Sequence, residues 1–415
     1  MKAEILAVGS ELMDPSRIET NALYITGRLF EAGVEVGARS VVADDHALLA
    51  SVFRTALGRA DLVVATGGLG PTEDDLTREA AAEALGRGLR RDASIVDLLK
   101  DRFARYGRVM APVNEKQADV IEGATVLPNS RGTAPGQKVD ADGRLLYLLP
   151  GPPSEMRPMF EEQVLPEVRA RAHGAVLRRR ILKIASMSES DVEQAVAPVY
   201  RTYKNPRTTI LGGPGQVELH LVGQGGSGQE AEERVEALAA ALRAKLPGRI
   251  FSEDGRELHE VVADLLRGRS LTLALAESCT GGMLCARLTS LPGASAYLER
   301  AFVTYSNRSK VELLGIGPGR LETQGAVSEE TARAMATGAR KAAGADVAVA
   351  ITGIAGPEGG TPDKPVGLVF IALEGAAGTR VRRLLFPGDR ERVRHQACQA
   401  ALEMMRRGLL GLSAL

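Results

Sequence analysis

Short apolar runs alternate with longer amphipathic segments through the first 170 residues. The runs cover Ile5 to Val8, Val34 to Val42, Leu62 to Ala65, Thr125 to Leu127 and Leu145 to Leu149. Between them, apolar residues recur at helical spacing over Asn21 to Ala32, Ala47 to Leu57, Asp75 to Leu85 and Ser154 to Arg171, the last with Ser154 as its expected cap. This alternation predicts an α/β domain with a mainly parallel sheet. From about residue 175 the order changes to strand (Arg180 to Ala185), helix (Glu189 to Tyr200), hairpin (Thr208 to Val222), helix (Glu230 to Leu246) and a short strand, which predicts a small α+β module. A second α/β series follows, with a helix over Glu257 to Leu266, a strand over Leu271 to Ala274 and a final helix over Arg390 to Arg407. Three domains are expected, at 1–172, 173–253 and 254–415, in keeping with a length that exceeds one core.

Charge and composition narrow the classes. Lys plus Arg equals Asp plus Glu at 52 each, and aromatic residues make up 4% of the chain, which disfavours a general nucleic-acid binder. Cys279, Cys285 and Cys398 form no CxxC pair, and the five histidines form no HxH or HExxH cluster, so a reducing compartment fits and zinc does not. The start, KAEILAVG, reads as a strand, and no later stretch reaches roughly 18 uninterrupted apolar residues. A soluble cytoplasmic protein with no membrane partner is expected.

Candidate chemistry in the third domain gathers where a strand runs into Glu277-Ser278-Cys279-Thr280-Gly281-Gly282 and then a helical pattern. Gly281 and Gly282 allow backbone to approach a ligand, and N–H groups at a helix start can hold a phosphate or a developing oxyanion. Ser278 stands where a nucleophile would be useful, although capping a helix is the commoner fate of Ser278 or Thr280 at such a turn. Serine needs a base, and no histidine has an obvious place beside it. Phe302-Val303-Thr304-Tyr305-Ser306-Asn307 reads as a strand entering a polar turn, with Lys310 opening the next helix. A lysine whose pKa is lowered by burial can take the serine proton, and a tyrosine hydroxyl can relay it. A solvated lysine and a core tyrosine are the alternative, and no SxxK or GxSxG motif ties 278 to 310. Further on, the strand Val347 to Ile351 opens into Thr352-Gly353-Ile354-Ala355-Gly356-Pro357, a type of loop that often binds ligands. Arg390 opens the last helix as a candidate phosphate contact or an ordinary exposed arginine.

The first domain carries a second constellation, Thr66-Gly67-Gly68-Leu69-Gly70-Pro71-Thr72-Glu73-Asp74-Asp75-Leu76-Thr77. The backbone of Gly67, Gly68 and Gly70 can wrap an anion, and Asp74 and Asp75 can hold a divalent cation between phosphate oxygens. Acidic residues also stabilise a helix N-terminus without any ligand. Thr20 and Asn21 open a helix, Thr20 as its expected cap, while Asn114, Glu115 and Lys116 begin another and Arg131 to Gly136 can wall a pocket. Gly212-Gly213-Pro214-Gly215 satisfies the GxxG of nucleic-acid-binding KH domains, but it joins two strands instead of two helices and lacks a basic stripe.

AESCTGG, FVTYSN followed by Lys310, GAVSE, ITGIAGP, KPVG and PGDR occur in the order found in CinA-family proteins, over about 270 to 395. The last domain resembles the nicotinamide mononucleotide amidohydrolase called PncC, or the CinA carboxy-terminal domain. That resemblance implies hydrolysis of nicotinamide mononucleotide to nicotinate mononucleotide and ammonia without a cofactor. It implies Ser278, Tyr305 and Lys310 as the catalytic trio, and the loop residues Thr280, Gly281, Gly282, Thr352, Gly353 and Arg390 are then the candidates for substrate binding. Roughly residues 1 to 165 are similar to molybdopterin-binding proteins of the MoaB and MogA type, which implies a three-layer α/β fold. Asp75 then matches that family's active-site aspartate, Asp44 its acidic partner, Gly67, Gly68, Gly70 and Thr72 the ligand loop, and Pro150 to Pro153 a strand-end turn. Leu69 stands where that family usually has threonine, and PTEDD replaces a more basic loop, which counts against a molybdopterin substrate. Full-length CinA relatives imply a KH-like middle module, a homodimer, and hydrolysis of ADP-ribose-type pyrophosphates with Co²⁺ or Mg²⁺ in the first domain, Asp74 and Asp75 holding the metal. The competing expectation is a nucleic-acid-associated competence or damage-response protein, or a molybdopterin-binding protein with a vestigial first site.

Overall fold

The computed structural model describes residues 1–172 and 174–413. His173, the first residue expected in the middle module, and Leu415, the last expected in the third domain, lie outside the described residues. The chain forms two compact units, residues 1–178 with 224–232, and residues 179–223 with 233–415.

The first unit is built on a six-stranded sheet in the order Glu35–Val42, Lys2–Val8, Leu62–Thr66, Arg144–Leu149, Gly136–Ala141, Thr125–Leu127. The first four strands are parallel, and Gly136–Ala141 runs antiparallel to both of its neighbours. Every residue of Leu62–Thr66 is buried because helices cover both faces of the sheet. Ile25 and Leu29 of helix Asn21–Glu31 pack with Phe160 on one face, while Leu49 and Phe53 of His46–Arg59 pack with Ala81 of Thr77–Leu85 on the other. This is the expected three-layer arrangement.

Local departures have local causes. The segment expected as one helix from Ser154 is divided into Pro153–Met159, a π turn at Phe160–Val164 and Leu165–Arg171, since Pro158 and Pro166 lack the N–H an unbroken helix needs. Pro152 occupies the cap position, and Ser154 does not cap. Thr20 sits at the start of Asn21–Glu31 but makes no side-chain cap; the Glu19 carboxylate accepts from Ala22 N–H instead, at 2.8 Å. Helix Ala93–Arg105 and strand Gly136–Ala141 escape the apolar-run reading.

The second unit contains a five-stranded sheet in the order Leu298–Val303, Leu273–Glu277, Val347–Gly353, Leu368–Gly375, Gly378–Leu385. Its first three strands are parallel, and Leu368–Gly375 runs antiparallel to both of its neighbours. Residues of Leu258–Gly268, Met283–Thr289 and Arg390–Leu410 fill the core on one face, and those of Glu329–Ala343 fill it on the other. The KH-like part pairs Arg207–Gly213, Gln216–Gly225, Val176–Ala185 and Ile250–Ser252 in that order. Gly212 and Gly213 belong to a strand, leaving Pro214 and Gly215 as the hairpin tip. Gly215 has φ +80°, and a Cβ added there would lie 2.9 Å from the Cβ of Gln399, so the tip rests on the last helix. Gln399 also donates to the side chain of Gln216 at 2.9 Å, and Arg406 donates to Gly248 O at 2.7 Å.

Each α/β sheet brings several parallel strands to an end at one edge. Val8 is level with Val42, Ala7 with Thr66 and Thr66 with Leu149; in the other sheet Glu277 is level with Val303 and Ile351. Chain turns with unpaired peptide groups gather at such edges, and both candidate sites lie there.

Candidate functional site

In the second unit the strand expected to stop at Ala274 continues to Glu277, and Ser278 is the first residue beyond it. Ser278 N–H donates to Ile351 O at 2.9 Å, and Thr304 N–H to Glu277 O at 2.8 Å, so the three parallel strands stay paired up to the serine. Lys310 lies in helix Asn307–Leu314, whose Ser306 cap accepts from Ser309 N–H. Its amine donates to Ser278 Oγ at 3.0 Å and to Thr304 O at 2.7 Å, and the residue is only 1% exposed. Burial pushes the Lys310 pKa down, toward the neutral amine that can accept a proton. The adjacent Cys279 thiol is pushed up to about 12 by burial, which leaves it protonated and a poor nucleophile.

Neither Ser278 nor Thr280 caps the following helix. Glu277 does: its carboxylate, 1% exposed, accepts from Gly282 N–H at 3.0 Å, Leu284 N–H at 3.1 Å and Cys285 N–H at 2.8 Å. This corrects the expectation that the helix start is open to a phosphate or oxyanion, because a carboxylate already occupies it. Gly281 N–H and Met283 N–H turn back to Ser278 O and Thr280 O. Among the described residues the amides of Cys279 and Thr280 have no backbone acceptor, and Thr280 is itself fully buried. The turn is held from outside by Arg394, which donates to Thr280 O at 2.7 Å. The fully buried hydroxyls of Thr280 and Thr304 have no partner.

Among the described residues Tyr305 makes no hydrogen bond to Ser278 or Lys310. It is 59% exposed, and its hydroxyl accepts from Arg390 at 2.7 Å. The other arm of Arg390 donates to Gly356 O at 2.9 Å, so Tyr305, Arg390 and the 353–357 loop form a rim. Thr352 is buried and donates to Ala326 O at 2.7 Å, and Gly353 packs against Leu368 O, which makes both part of the wall.

The first unit holds a cavity of about 620 Å³ lined by Gly67, Gly68, Gly70, Thr72, Asp74, Asp75 and Asp44, so the residues expected there share one space. Asn21, Thr133 and the Pro150 to Pro153 turn line it as well. A Cβ on Gly67 would lie 2.0 Å from Val8 O, so only glycine fits. The Asp75 carboxylate accepts from Thr72 N–H at 2.8 Å and from the Thr72 hydroxyl at 2.5 Å, and Asp44 accepts from Ser10 N–H at 2.6 Å. Lys116, read only as part of a helix start, donates to Thr72 O at 3.1 Å and Asp75 O at 2.7 Å and so braces the loop. Its long sequence separation gave no signal. Among the described residues no three His, Cys, Asp or Glu side chains converge to hold a metal. No described helix is long and apolar enough to cross a membrane.

Fold and sites together define a mixed α/β protein in which a molybdopterin-binding-type domain and a KH-like module precede a CinA-type domain. Three family models match in that order: "Probable molybdopterin binding domain" over residues 4–170, "Damage-inducible protein CinA KH domain" over 179–252 and "CinA C-terminal domain" over 255–409. The chain belongs to the CinA family. It is 46% identical over 411 residues to a CinA-like protein of Solibacter usitatus, covering 99% of both chains. It is 47% identical over 414 residues to a CinA-like protein of Koribacter versatilis, covering 99% of this chain and 100% of that one. A solved structure, competence/damage inducible protein CihA from Agrobacterium tumefaciens, is 41% identical with a TM-score of 0.36, over 37% of this chain and 93% of that one.

Glu277→Ala would leave three inward-facing amides without their charged acceptor, and is expected to destabilise the protein by about 3 kcal/mol. Urea unfolding followed by circular dichroism checks this, and an unchanged midpoint would show that the carboxylate does not hold the turn.

Proposed function

We propose that the chain is a bifunctional pyridine-nucleotide hydrolase whose last domain converts nicotinamide mononucleotide and water to nicotinate mononucleotide and ammonia. The observation that carries this reading is the 3.0 Å hydrogen bond between the buried Lys310 amine and Ser278 Oγ. Ser278 gives its proton to Lys310 as its oxygen bonds to the carboxamide carbon. The oxyanion draws on the amides of Cys279 and Thr280. The C–N bond then breaks, and ammonia departs with the proton from Lys310. Water attacks the resulting ester and restores Ser278. Tyr305, held by Arg390 at the rim, is assigned to the substrate's polar groups instead of to the serine proton.

For the first domain we propose hydrolysis of ADP-ribose-type pyrophosphates. The cavity joins a glycine loop suited to an anion with carboxylates, and Asp75 lies so near Gly70 that a Cβ there would meet its oxygen at 2.3 Å. A carboxylate beside a phosphate is repelled unless positive charge intervenes. With no protein cage of three ligands, the donor set fits a Co²⁺ or Mg²⁺ ion bound jointly by Asp74 or Asp75 and the substrate, where it would neutralise phosphate charge. Small-molecule nucleotides are then the partners. The hairpin tip resting on Gln399 gives no support to a nucleic-acid clamp. A cytoplasmic homodimer completes the proposal, and a monomer in light scattering at micromolar concentration would overturn the dimer.

Full-length protein is expected to release ammonia from nicotinamide mononucleotide, and Ser278→Ala and Lys310→Ala to lose that activity by about a thousandfold or more. Full activity in either variant would sink the mechanism. Only the neutral lysine accepts a proton, so the rate should rise with pH through the lowered Lys310 pKa and level off below the ordinary value of 10.5. A limb at or above that value would rule out Lys310 as the base. With Co²⁺ or Mg²⁺ the protein is expected to cleave ADP-ribose, and Asp75→Ala to do so about a hundredfold more slowly. ADP-ribose left intact by the parent protein would refute the second activity.

A further inference from the structure

The glycine loop of the first unit is oriented by groups that lie behind it. Thr77 donates through its hydroxyl to Gly67 O at 2.8 Å and through its N–H to Gly68 O at 3.2 Å. Arg78 donates through its two terminal nitrogens to Leu69 O at 2.8 Å and Gly70 O at 2.9 Å. These peptides are all trans, and a planar trans peptide points its N–H opposite to its C=O. Drawing the carbonyls of Gly67, Gly68 and Leu69 toward Thr77 and Arg78 therefore turns the N–H groups of Gly68, Leu69 and Gly70 the other way. The series stops at the next peptide, because Pro71 has no N–H. None of the three amides has a protein acceptor among the described residues, and all three residues line the cavity. Successive amides facing one way make a nest for an anion.

Arg78 supplies more than hydrogen bonds. It is fully buried, its Nε has no partner, and among the described residues it forms no ion pair. Burial disfavours its charge, while Glu79, Asp75 and Asp119 oppose that only through space. A buried cation without a bonded counter-ion is costly, and an anion seated on the loop supplies the missing negative charge. Asn21 adds a second unmet need: the residue is 8% exposed, lines the same cavity, and its side-chain oxygen has no donor. A ribose hydroxyl is such a donor.

We propose that Thr77 and Arg78 are the positioning residues of this site: they aim the amides of Gly68, Leu69 and Gly70 at a phosphate group of a nucleoside-diphosphate-type ligand, with Arg78 as its buried counter-charge. This rests on the reading of the first domain as a pyrophosphate site.

Inorganic pyrophosphate is the probe, titrated calorimetrically into the full chain and followed in glycine-selective ¹⁵N spectra. In the parent, the Gly68 and Gly70 amide signals should move downfield as pyrophosphate binds. Arg78→Gln and Thr77→Val should each weaken binding at least tenfold, Arg78→Lys should recover part of the loss, and the salt dependence should flatten in Arg78→Gln. Binding in the parent that leaves the Gly68 and Gly70 signals in place overturns the assignment, whether or not any variant folds. A folded Arg78→Gln that binds as the parent does also overturns it. Cleavage of ADP-ribose by the parent, measured separately, distinguishes failure of this inference from failure of the pyrophosphate reading.

Discussion

Burying an amine is the constraint on which the second unit's site depends. An isolated ammonium in an apolar interior is strongly disfavoured, and Lys310 is held there by two oxygens, with no carboxylate paired to it among the described residues. The same surroundings that make the charged form costly favour the neutral amine, the form able to take a proton, within hydrogen-bond distance of Ser278 Oγ. That geometry needs three elements at once: the register that sets Glu277 level with Val303, the continuation of that pairing to Thr304, and a helix whose Ser306 cap fixes where Lys310 enters. Moving any of them by one residue would separate amine from hydroxyl.

The two sites share a location in their sheets but differ in what the backbone offers. In the second unit Glu277 takes three amides at the helix start, so a large anion finds no helix terminus waiting. Only the amides of Cys279 and Thr280 at that turn are without a backbone acceptor among the described residues. In the first unit Thr77 and Arg78 bind carbonyls and leave successive amides unmet, which suits a full phosphate charge. Whether a strand-end loop favours an anion or a neutral carbonyl is set by which end of its peptide groups the protein has already satisfied.

Much of this was legible in the sequence, and the remainder has identifiable causes. Buried parallel strands are continuous apolar runs, so Leu62–Thr66 and Val347–Gly353 could be found from composition alone. The antiparallel strand Gly136–Ala141 mixes Gln, Lys and Asp with apolar residues and could not. Ser278 and Lys310 were readable as chemistry, but 32 residues of separation concealed their contact until the sheet register supplied it. Glu277 looked like a motif neighbour because a strand was expected to end before it. Arg78 drew no reading, since charge in a sequence does not announce that a loop's carbonyls will surround it. Tyr305 was readable as a polar residue at the turn before Lys310, but its bond to Arg390, 85 residues away in sequence, was not.

The hairpin tip at Gly215 and the Arg406 bond to Gly248 bear on where this protein can be divided. A cut near residue 250 would strip the last helix of the surface its Gln399 and Arg406 side chains were shaped against, leaving an arginine without its carbonyl and an amide without its partner. The smallest piece that keeps these bonds begins before the KH-like strands. For the second unit, the portable module in recombination is therefore the pair of folds together, with the hairpin tip as part of the contact between them.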